Sequence, residues 1–186
     1  MLINNDTIIK DDNSLVRTRS QDVALPICKE DHDLLMDMLK YVDDSTNEEI
    51  AERENLRPAV GISAIQLGIP KKLTAVIIKD EEGNEICKYG LVNPKIVSES
   101  VQKAYLKAGE GCLSVVDEHE GYVYRAKRIK VKAYDILQEK EIEIKAEDYI
   151  AIVLQHEIDH FKGTLFYDRI NKANPFYEDP EATVIE

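Results

Sequence analysis

The sequence predicts an α+β fold in which short, mostly antiparallel strands pack around a central helix carrying an H-E-x-x-H motif. Two observations support this prediction. Several segments in the middle of the chain alternate apolar and charged residues, which is the pattern of half-buried strands. Near the C-terminal end the period changes to that of a strongly apolar helix. Short strands combined with one buried helix are typical of the α+β class.

An irregular arm opens the chain, and a helix follows it. Residues 1–28 show no regular apolar period, so we expect an arm without long elements. From about 29 to 43 the period is helical, and Glu30 and Asp31 lie in the first turn, where the helix dipole favours acidic side chains. The apolar positions of this helix are Leu34, Leu35, Met38, Leu39 and Val42. The polar stretch 43–55 is predicted to be partly helical.

Four strands are predicted after Pro58. Residues 73–78 form an apolar run rich in β-branched side chains, and a Glu-Gly-Asn turn separates it from an apolar stretch at 86–92. In the later part of 122–134, aliphatic residues alternate with lysines. The segment 141–145 alternates isoleucine with charged residues in the same way, so the short connection before it is predicted to be a hairpin.

The last predicted element is a helix from about 148 to 162. Its apolar face is formed by Ile150, Val153, Leu154, Ile158 and Phe161. Gly163 stands where a glycine commonly ends a helix. The acidic tail 174–186 contains two prolines and is predicted to be extended.

Composition and charge exclude several classes of protein. The 186 residues are 44% hydrophobic and 32% charged, as in an ordinary globular domain. The formal net charge of −12 argues against nucleic-acid binding, because phosphate neutralisation supplies most non-specific affinity. We find neither an apolar run of about 20 residues nor a signal peptide. We therefore expect a cytoplasmic protein that does not contact membranes and whose three cysteines are reduced.

The strongest local indication of chemistry is the sequence His156-Glu157-Ile158-Asp159-His160 on the last helix. Residues four apart lie on one face of a helix, so both imidazoles can point at one metal ion. Glu157 projects from a neighbouring position and can reach a water at that ion without being a ligand. The alternative is two surface histidines, or one core histidine bonded to a carbonyl. The apolar residues around the motif favour the metal site.

Two histidines need a third protein ligand, and Cys112 is the candidate. It lies in the glycine-containing segment 110–115, and a thiolate is a strong ligand for a borderline or soft cation. The alternative is a buried cysteine that acts as a small apolar residue. A third segment, 60–68, is apolar except for Ser63 and Gln66. A buried glutamine must find a hydrogen-bond partner, and its role here could equally be structural or functional.

Together the three segments resemble the motifs of the peptide deformylase family. That family carries a glycine-rich motif ending in glutamine, then E-G-C-L-S, then Q-H-E-x-D-H. In this chain they correspond to residues 61–66, 110–114 and 155–160, and the resemblance covers about 15–175. The segment 163–170 resembles the Gram-positive-type branch. Ala59, Ser63 and Ile65 depart from the family's usual residues, and we expect these changes to affect substrate preference more than the reaction.

The resemblance implies a metal-dependent hydrolase that removes the N-formyl group from the formyl-methionine of newly made polypeptides and releases formate. It implies one divalent ion, natively iron(II), with zinc, nickel or cobalt able to take its place. The implied metal ligands are Cys112, His156 and His160. Glu157 is implied as the acid–base residue, and the Gln66 amide and the Leu113 N–H as donors to the developing oxyanion.

The resemblance also implies a substrate pocket and a support for the cysteine segment. The implied substrate-binding residues are Val60, Gly61, Gly111, Ile152 and Val153. Glu110 pairs with Arg125 to hold the segment that carries the cysteine. The expected partners are N-formyl-methionyl nascent peptides, with transient proximity to the ribosome and no direct nucleic-acid contact. We expect residues 1–186 to form one catalytic domain.

Three other interpretations follow from the residues alone. An H-E-x-x-H zinc peptidase would need a third ligand after the helix, where the tail offers Glu178, Asp179 and Glu181. A cysteine hydrolase using Cys112 with His156 would be indifferent to chelators. A non-catalytic metal-binding homologue would be expected to lack the acid–base glutamate or a ligand, and this chain retains all of them.

Overall fold

The computed structural model describes all 186 residues and has the predicted α+β architecture. The helices are α1 (Lys29–Ser45), α2 (Glu48–Glu54) and α3 (Asp148–His160). The strands are β1 (Gly61–Ser63), β2 (Leu73–Lys79), β3 (Glu85–Glu99), β4 (Lys103–Leu106), β5 (Arg125–Ala126), β6 (Arg128–Asp135), β7 (Lys140–Glu147) and β8 (Thr183–Ile185). None of the helices combines the length and apolar character that crossing a membrane requires.

The larger sheet has five antiparallel strands in the order β1-β2-β3-β6-β7 and is covered by helices on both faces. Leu73, Ala75 and Ile77 of β2 belong to the apolar cluster with α1, whereas Val76 and Ile78 belong to the cluster with α3. Burial on both faces explains why β2 is a continuous apolar run and not an alternating one. It also places α3 against the centre of the sheet.

The smaller sheet has three strands in the order β5-β4-β8. Two features of this region differ from the elements predicted from the sequence. The tail is not merely extended, because β8 pairs in parallel with β4, with Ala104 opposite Thr183. The predicted strand 122–134 is divided at Lys127 into β5 and β6, which belong to different sheets. Helix α3 contacts strands of both sheets and therefore joins them.

The remaining predicted elements are observed with shifted ends. The helix predicted over 29–43 ends at Ser45, and α2 lies within the stretch that was predicted to be partly helical. The strand predicted over 86–92 continues to Glu99. Strands β1, β4 and β8 were not predicted, because three or four residues are too few to establish a period of two.

The N-terminal arm is irregular, as predicted, but it packs into the core. Its one helical turn is a short 3-10 helix at Ser14–Arg17, and Val16 there is completely buried. Ile8 is also buried. Arg17 forms an ion pair with Asp168 and donates to the Gly163 carbonyl, so the arm is tied to the segment that follows α3.

We expect Gly163→Ala to destabilise the fold more than Gly83→Ala does. Both glycines have a positive φ, at +70° and +86°. An added Cβ at Gly163 would lie 2.2 Å from the Arg17 carbonyl oxygen, whereas nothing lies within 4 Å at Gly83. The expected loss in free energy of unfolding is about 1–3 kcal/mol from backbone strain in both variants, with a further loss only at Gly163. Urea unfolding measures the difference, and equal losses would contradict the close approach of the arm.

Candidate active site

Helix α3 and the loop after β4 bring the three predicted metal ligands together. The ligand atoms of Cys112, His156 and His160 all lie within 4.8 Å of one another. No other group of three histidine, cysteine, aspartate or glutamate side chains in the chain meets this condition. The acidic residues of the tail are therefore not part of such a cluster. An H-E-x-x-H zinc peptidase that took its third ligand from the tail would lack that ligand here.

The distance between two of the donor atoms matches that expected at one tetrahedral ion. Sulfur and nitrogen ligands at about 2.3 Å and 2.0–2.1 Å from a shared tetrahedral ion lie about 3.6 Å apart. The Cys112 Sγ to His160 Nε2 distance is 3.5 Å. His160 Nδ1 is buried and has no hydrogen-bond partner. The donor set therefore suits a divalent ion with an affinity for both thiolate and imidazole.

A buried hydrogen bond orients His156. Its Nδ1 lies 2.8 Å from Glu110 Oε1, and the Glu110 side chain is only 4% exposed. Arg125 donates twice to the same carboxylate, at 2.8 Å and 2.9 Å. Burial alone would raise the pKa of Glu110, but the hydrogen bond from His156 and the charge of Arg125 hold it below its usual value. Glu110 therefore stays ionised and leaves Nε2 of His156 free for a ligand role.

The ionic contacts continue to the surface through α3. Arg125 also donates to Asp159 at 2.9 Å, and Arg169 contacts both carboxylate oxygens of Asp159, at 2.6 Å and 2.7 Å. The Asp159 side chain is 7% exposed, whereas Arg169 is 41% exposed. Two carboxylates and two guanidinium groups thus alternate between His156 and solvent.

The environment of Cys112 favours its thiolate. Burial by itself would raise the pKa of the thiol, but the neighbouring imidazoles of His160 and His156 lower it to about 6. Thiolate is the form that binds a metal, so the cluster is prepared for a cation at neutral pH.

The Glu157 side chain is buried beside the cluster without belonging to it. Ser63 Oγ donates to Glu157 Oε2 at 2.7 Å, and Thr74 Oγ1 lies 3.5 Å from the same oxygen. A Cβ at Gly61 would lie 2.6 Å from Glu157 Oε1. The carboxylate therefore needs a glycine at position 61, and its Oε2 is held by Ser63.

Gln66 and Leu113 are both next to the cysteine, Gln66 in space and Leu113 in sequence. Gln66 Nε2 lies 3.5 Å from Cys112 Sγ and 3.2 Å from Ser114 Oγ, and its Oε1 accepts the Ser63 N–H at 2.9 Å. The Leu113 N–H donates to no protein acceptor. Both residues line the same pocket, and the Leu113 N–H is available as a donor to a bound molecule.

This pocket has a volume of about 330 Å³ and reaches two of the three candidate ligands, Cys112 and His156. Its lining includes Val60, Gly61, Gly111, Ile152 and Val153, together with Cys112, His156 and Glu157. All five residues predicted to bind substrate therefore line one cavity. The pocket wall also includes Tyr149 and Arg57, which the sequence did not indicate.

The family model described as polypeptide deformylase matches residues 5–176 of the chain. The chain belongs to the peptide deformylase family. Members of this family remove the N-formyl group from nascent polypeptides in a metal-dependent reaction, so the chain is a hydrolase of formylated N-termini.

Relatives of similar length support this membership. The chain is 45% identical over 186 residues to peptide deformylase of Ligilactobacillus salivarius, covering 99% of both chains. It is 44% identical over 185 residues to peptide deformylase 2 of Bacillus subtilis, covering 100% of both. Among solved structures, peptide deformylase of Ehrlichia chaffeensis has a TM-score of 0.70 and 30% identity, covering 94% of this chain and 91% of that one.

A second solved structure holds a peptide. The crystal structure of a class I type b peptide deformylase from Acinetobacter baumannii bound to Met-Ala-Ser has a TM-score of 0.69 and 28% identity. The structural alignment covers 91% of this deformylase and 100% of the Acinetobacter baumannii chain.

Several polar partners of the site in this deformylase were not predicted from the sequence. Ser63 was expected to affect substrate preference; it does not line the pocket, and its hydroxyl donates to Glu157. Asp159 and Arg169 were not assigned, although two charged residues on and just after a buried helix could have indicated an ion pair. Nothing in the pattern of the arm indicated the contact of Lys10 with Leu113.

We expect Glu110→Gln to weaken metal binding without unfolding the deformylase. The amide keeps the shape of the side chain but loses the charge that orients His156 and pairs with Arg125. The expected loss of affinity for a divalent ion is about 10- to 100-fold. Competition with a chromogenic chelator measures it, with Glu52→Gln on the exposed surface of α2 as the control. Unchanged affinity would show that Glu110 does not support the ligand.

Proposed function

We propose that Cys112, His156 and His160 bind one divalent ion, natively iron(II), and that this ion serves the removal of formyl groups. The observation that carries the proposal is the position of the three ligand atoms, within 4.8 Å of one another beside a cavity that all five residues predicted to bind substrate line. When bound, such an ion lowers the pKa of water and polarises a carbonyl group. Zinc, nickel and cobalt suit the same donors.

Glu157 is assigned as the proton carrier. It takes a proton from the attacking water and returns it to the departing amine, one carboxylate serving first as base and then as acid. Two contacts support this role: Ser63 holds one oxygen, and the other faces Gly61 at the pocket wall. A carboxylate with one oxygen fixed and one directed at the substrate side has the geometry that proton transfer needs.

The Gln66 amide and the Leu113 N–H are assigned as donors to the oxyanion. Charge that develops on the formyl oxygen is stabilised best by donors that are already in place. Gln66 is held by Ser63 and Ser114, and it is only 1% exposed. Leu113 presents an N–H without a protein partner to the same pocket.

The methionine side chain of the substrate is assigned to the apolar wall formed by Val60, Ile152 and Val153. Ile152 and Val153 lie on α3 within one turn of His156, so a side chain bound there brings its own N-terminus to the ligand cluster. The Acinetobacter baumannii relative bound to Met-Ala-Ser supports a peptide that begins with methionine as the ligand. Gly61 and Gly111 allow the peptide backbone to approach closely.

We assign the enzyme to the cytoplasm, as one catalytic domain that meets nascent peptides near the ribosome. The net charge of −12 supports a contact made through the peptide and not through RNA, because an acidic surface repels phosphate.

Removal of the metal should abolish deformylation. We expect chelator-treated protein to be inactive on formyl-Met-Ala-Ser and to recover with iron(II), nickel or zinc. The iron form should lose activity fastest in air, because iron(II) is oxidised and zinc is not. Initial rates under anaerobic and aerobic conditions provide the measurement. Full activity in metal-free protein would instead support a cysteine hydrolase, for which the lowered pKa of Cys112, about 6, is the favouring observation.

The variants Glu157→Ala and His156→Ala should separate proton transfer from metal binding. Glu157→Ala should keep its metal and bind substrate, while single-turnover deformylation falls by about 10² to 10⁴. His156→Ala should lose metal and activity together. Metal stoichiometry and single-turnover rates of both variants test this assignment. A fully metallated Glu157→Ala protein with a near-normal rate would refute the role of Glu157.

A further inference from the structure

The N-terminal arm contacts both segments that carry the proposed oxyanion donors. The Ile9 N–H donates to the Gln66 carbonyl at 2.9 Å. The Lys10 ammonium donates to the Leu113 carbonyl at 3.0 Å. Two adjacent residues of one arm therefore connect two segments that are otherwise far apart in sequence.

The arm also accounts for much of the hydrogen bonding of the loop 112–115. Each of its four carbonyl groups accepts a hydrogen bond. The first accepts the N–H of the last loop residue at 3.1 Å, and the second accepts Lys10. The third accepts the Asp11 N–H at 2.8 Å, and the fourth accepts Arg57 at 3.0 Å. Three of the four carbonyl groups of the loop are thus held by residues outside it, while the Leu113 N–H remains free.

Lys10 is the only side chain of the arm that makes such a bond to this loop. It is half-buried, and its second partner is Asn5 Oδ1 at 2.9 Å. Burial, followed by the charge of Arg57, lowers the pKa of the ammonium. A hydrogen bond from a charged donor is stronger than one between neutral groups, so Lys10 restrains the Leu113 carbonyl more firmly than a backbone amide would.

We propose that Lys10 is a positioning residue that holds the Leu113 peptide in the correct place relative to the Gln66 amide. This inference rests on the proposed roles of these two donors. Donors to an oxyanion act only if they are held within a few tenths of an ångström of the position where the charge develops. Loss of Lys10 should therefore weaken binding of the transition state and leave binding of the ground-state substrate unchanged.

The test compares Lys10→Met with Lys10→Arg. We expect Lys10→Met to lower kcat about 10-fold, with KM and metal content unchanged, because the Leu113 donor is displaced and not removed. Lys10→Arg keeps a charged donor and should restore most of kcat. The matched control is Lys71→Met, which removes a half-exposed lysine that pairs with Asp31 at 2.6 Å, away from the site.

Hydrogen exchange supplies a readout that does not depend on turnover. Amides of the loop 112–115 should exchange faster in Lys10→Met than in Lys10→Arg or Lys71→Met. If Lys10→Met is too unstable to purify, Lys10→Gln, which keeps a neutral donor, should show an intermediate kcat and intermediate exchange. Wild-type kcat and wild-type exchange in the folded Lys10 variants would overturn the proposal. Loss of metal, or a rise in KM that accounts for the lower rate, would do so as well.

Gln66→Met separates failure of this inference from failure of the proposed function. If Gln66→Met is folded and metallated but slow while Lys10→Met is normal, the oxyanion assignment stands and the role of Lys10 is wrong. If Gln66→Met itself keeps wild-type kcat, the oxyanion assignment is wrong. If both variants have a lower kcat, the two substitutions should also be combined in one protein. The fold loss in kcat of this double variant should be smaller than the product of the two single fold losses, because both substitutions act on the same oxyanion site.

Discussion

The hydrogen bond between Glu110 and His156 is the contact on which the arrangement of the site depends. Glu110 belongs to the loop that carries the cysteine, and His156 belongs to α3, so this bond joins the two elements that carry the proposed ligands. Arg125 and Asp159 close the connection by returning to α3. Buried charges are costly when they stand alone, but here two acids and two bases alternate. The alternation of charge therefore offsets part of the cost of burial, while the same contacts hold Glu110 against His156.

The fold supplies the low-polarity environment that makes these contacts strong. Helix α3 lies between the two sheets, and most of its residues are buried, among them Glu157 and His160. Electrostatic interactions strengthen where water is excluded. The same burial accounts for the unusual apolar character of the helix in the sequence. A motif with two histidines and two acids can lie within the core only because each polar atom but His160 Nδ1 meets a partner or the pocket.

Most of the fold and the ligand set could be predicted from the sequence, and the failures share a physical cause. Helices α1 and α3 have enough turns to show their period, and H-E-x-x-H places two ligands by local geometry alone. Cys112 and Gln66 were recognisable from their local sequence, and the resemblance of three motifs to one family supplied their implied roles and the pocket residues. What it could not supply were contacts between distant segments with no repeating pattern, such as Lys10 with Leu113 or β8 with β4. Ser63 is a further example. The sequence showed that Ser63 departs from the usual residue of the family, but it did not show that its hydroxyl donates to the Glu157 carboxylate.

The sequence separation between the ligands has a consequence for how the protein acquires its site. Cys112 and His160 are 48 residues apart, and the segments around Lys10 and Gln66 are further still from α3. Closing such long loops costs chain entropy before any contact repays it. No local fragment can therefore assemble the centre by itself, and a chain that has formed only its helices would hold two imidazoles with no sulfur beside them. The ion would then bind only after the contacts between distant segments have formed. The rate of deformylation would therefore measure the fraction of molecules that have reached the native state.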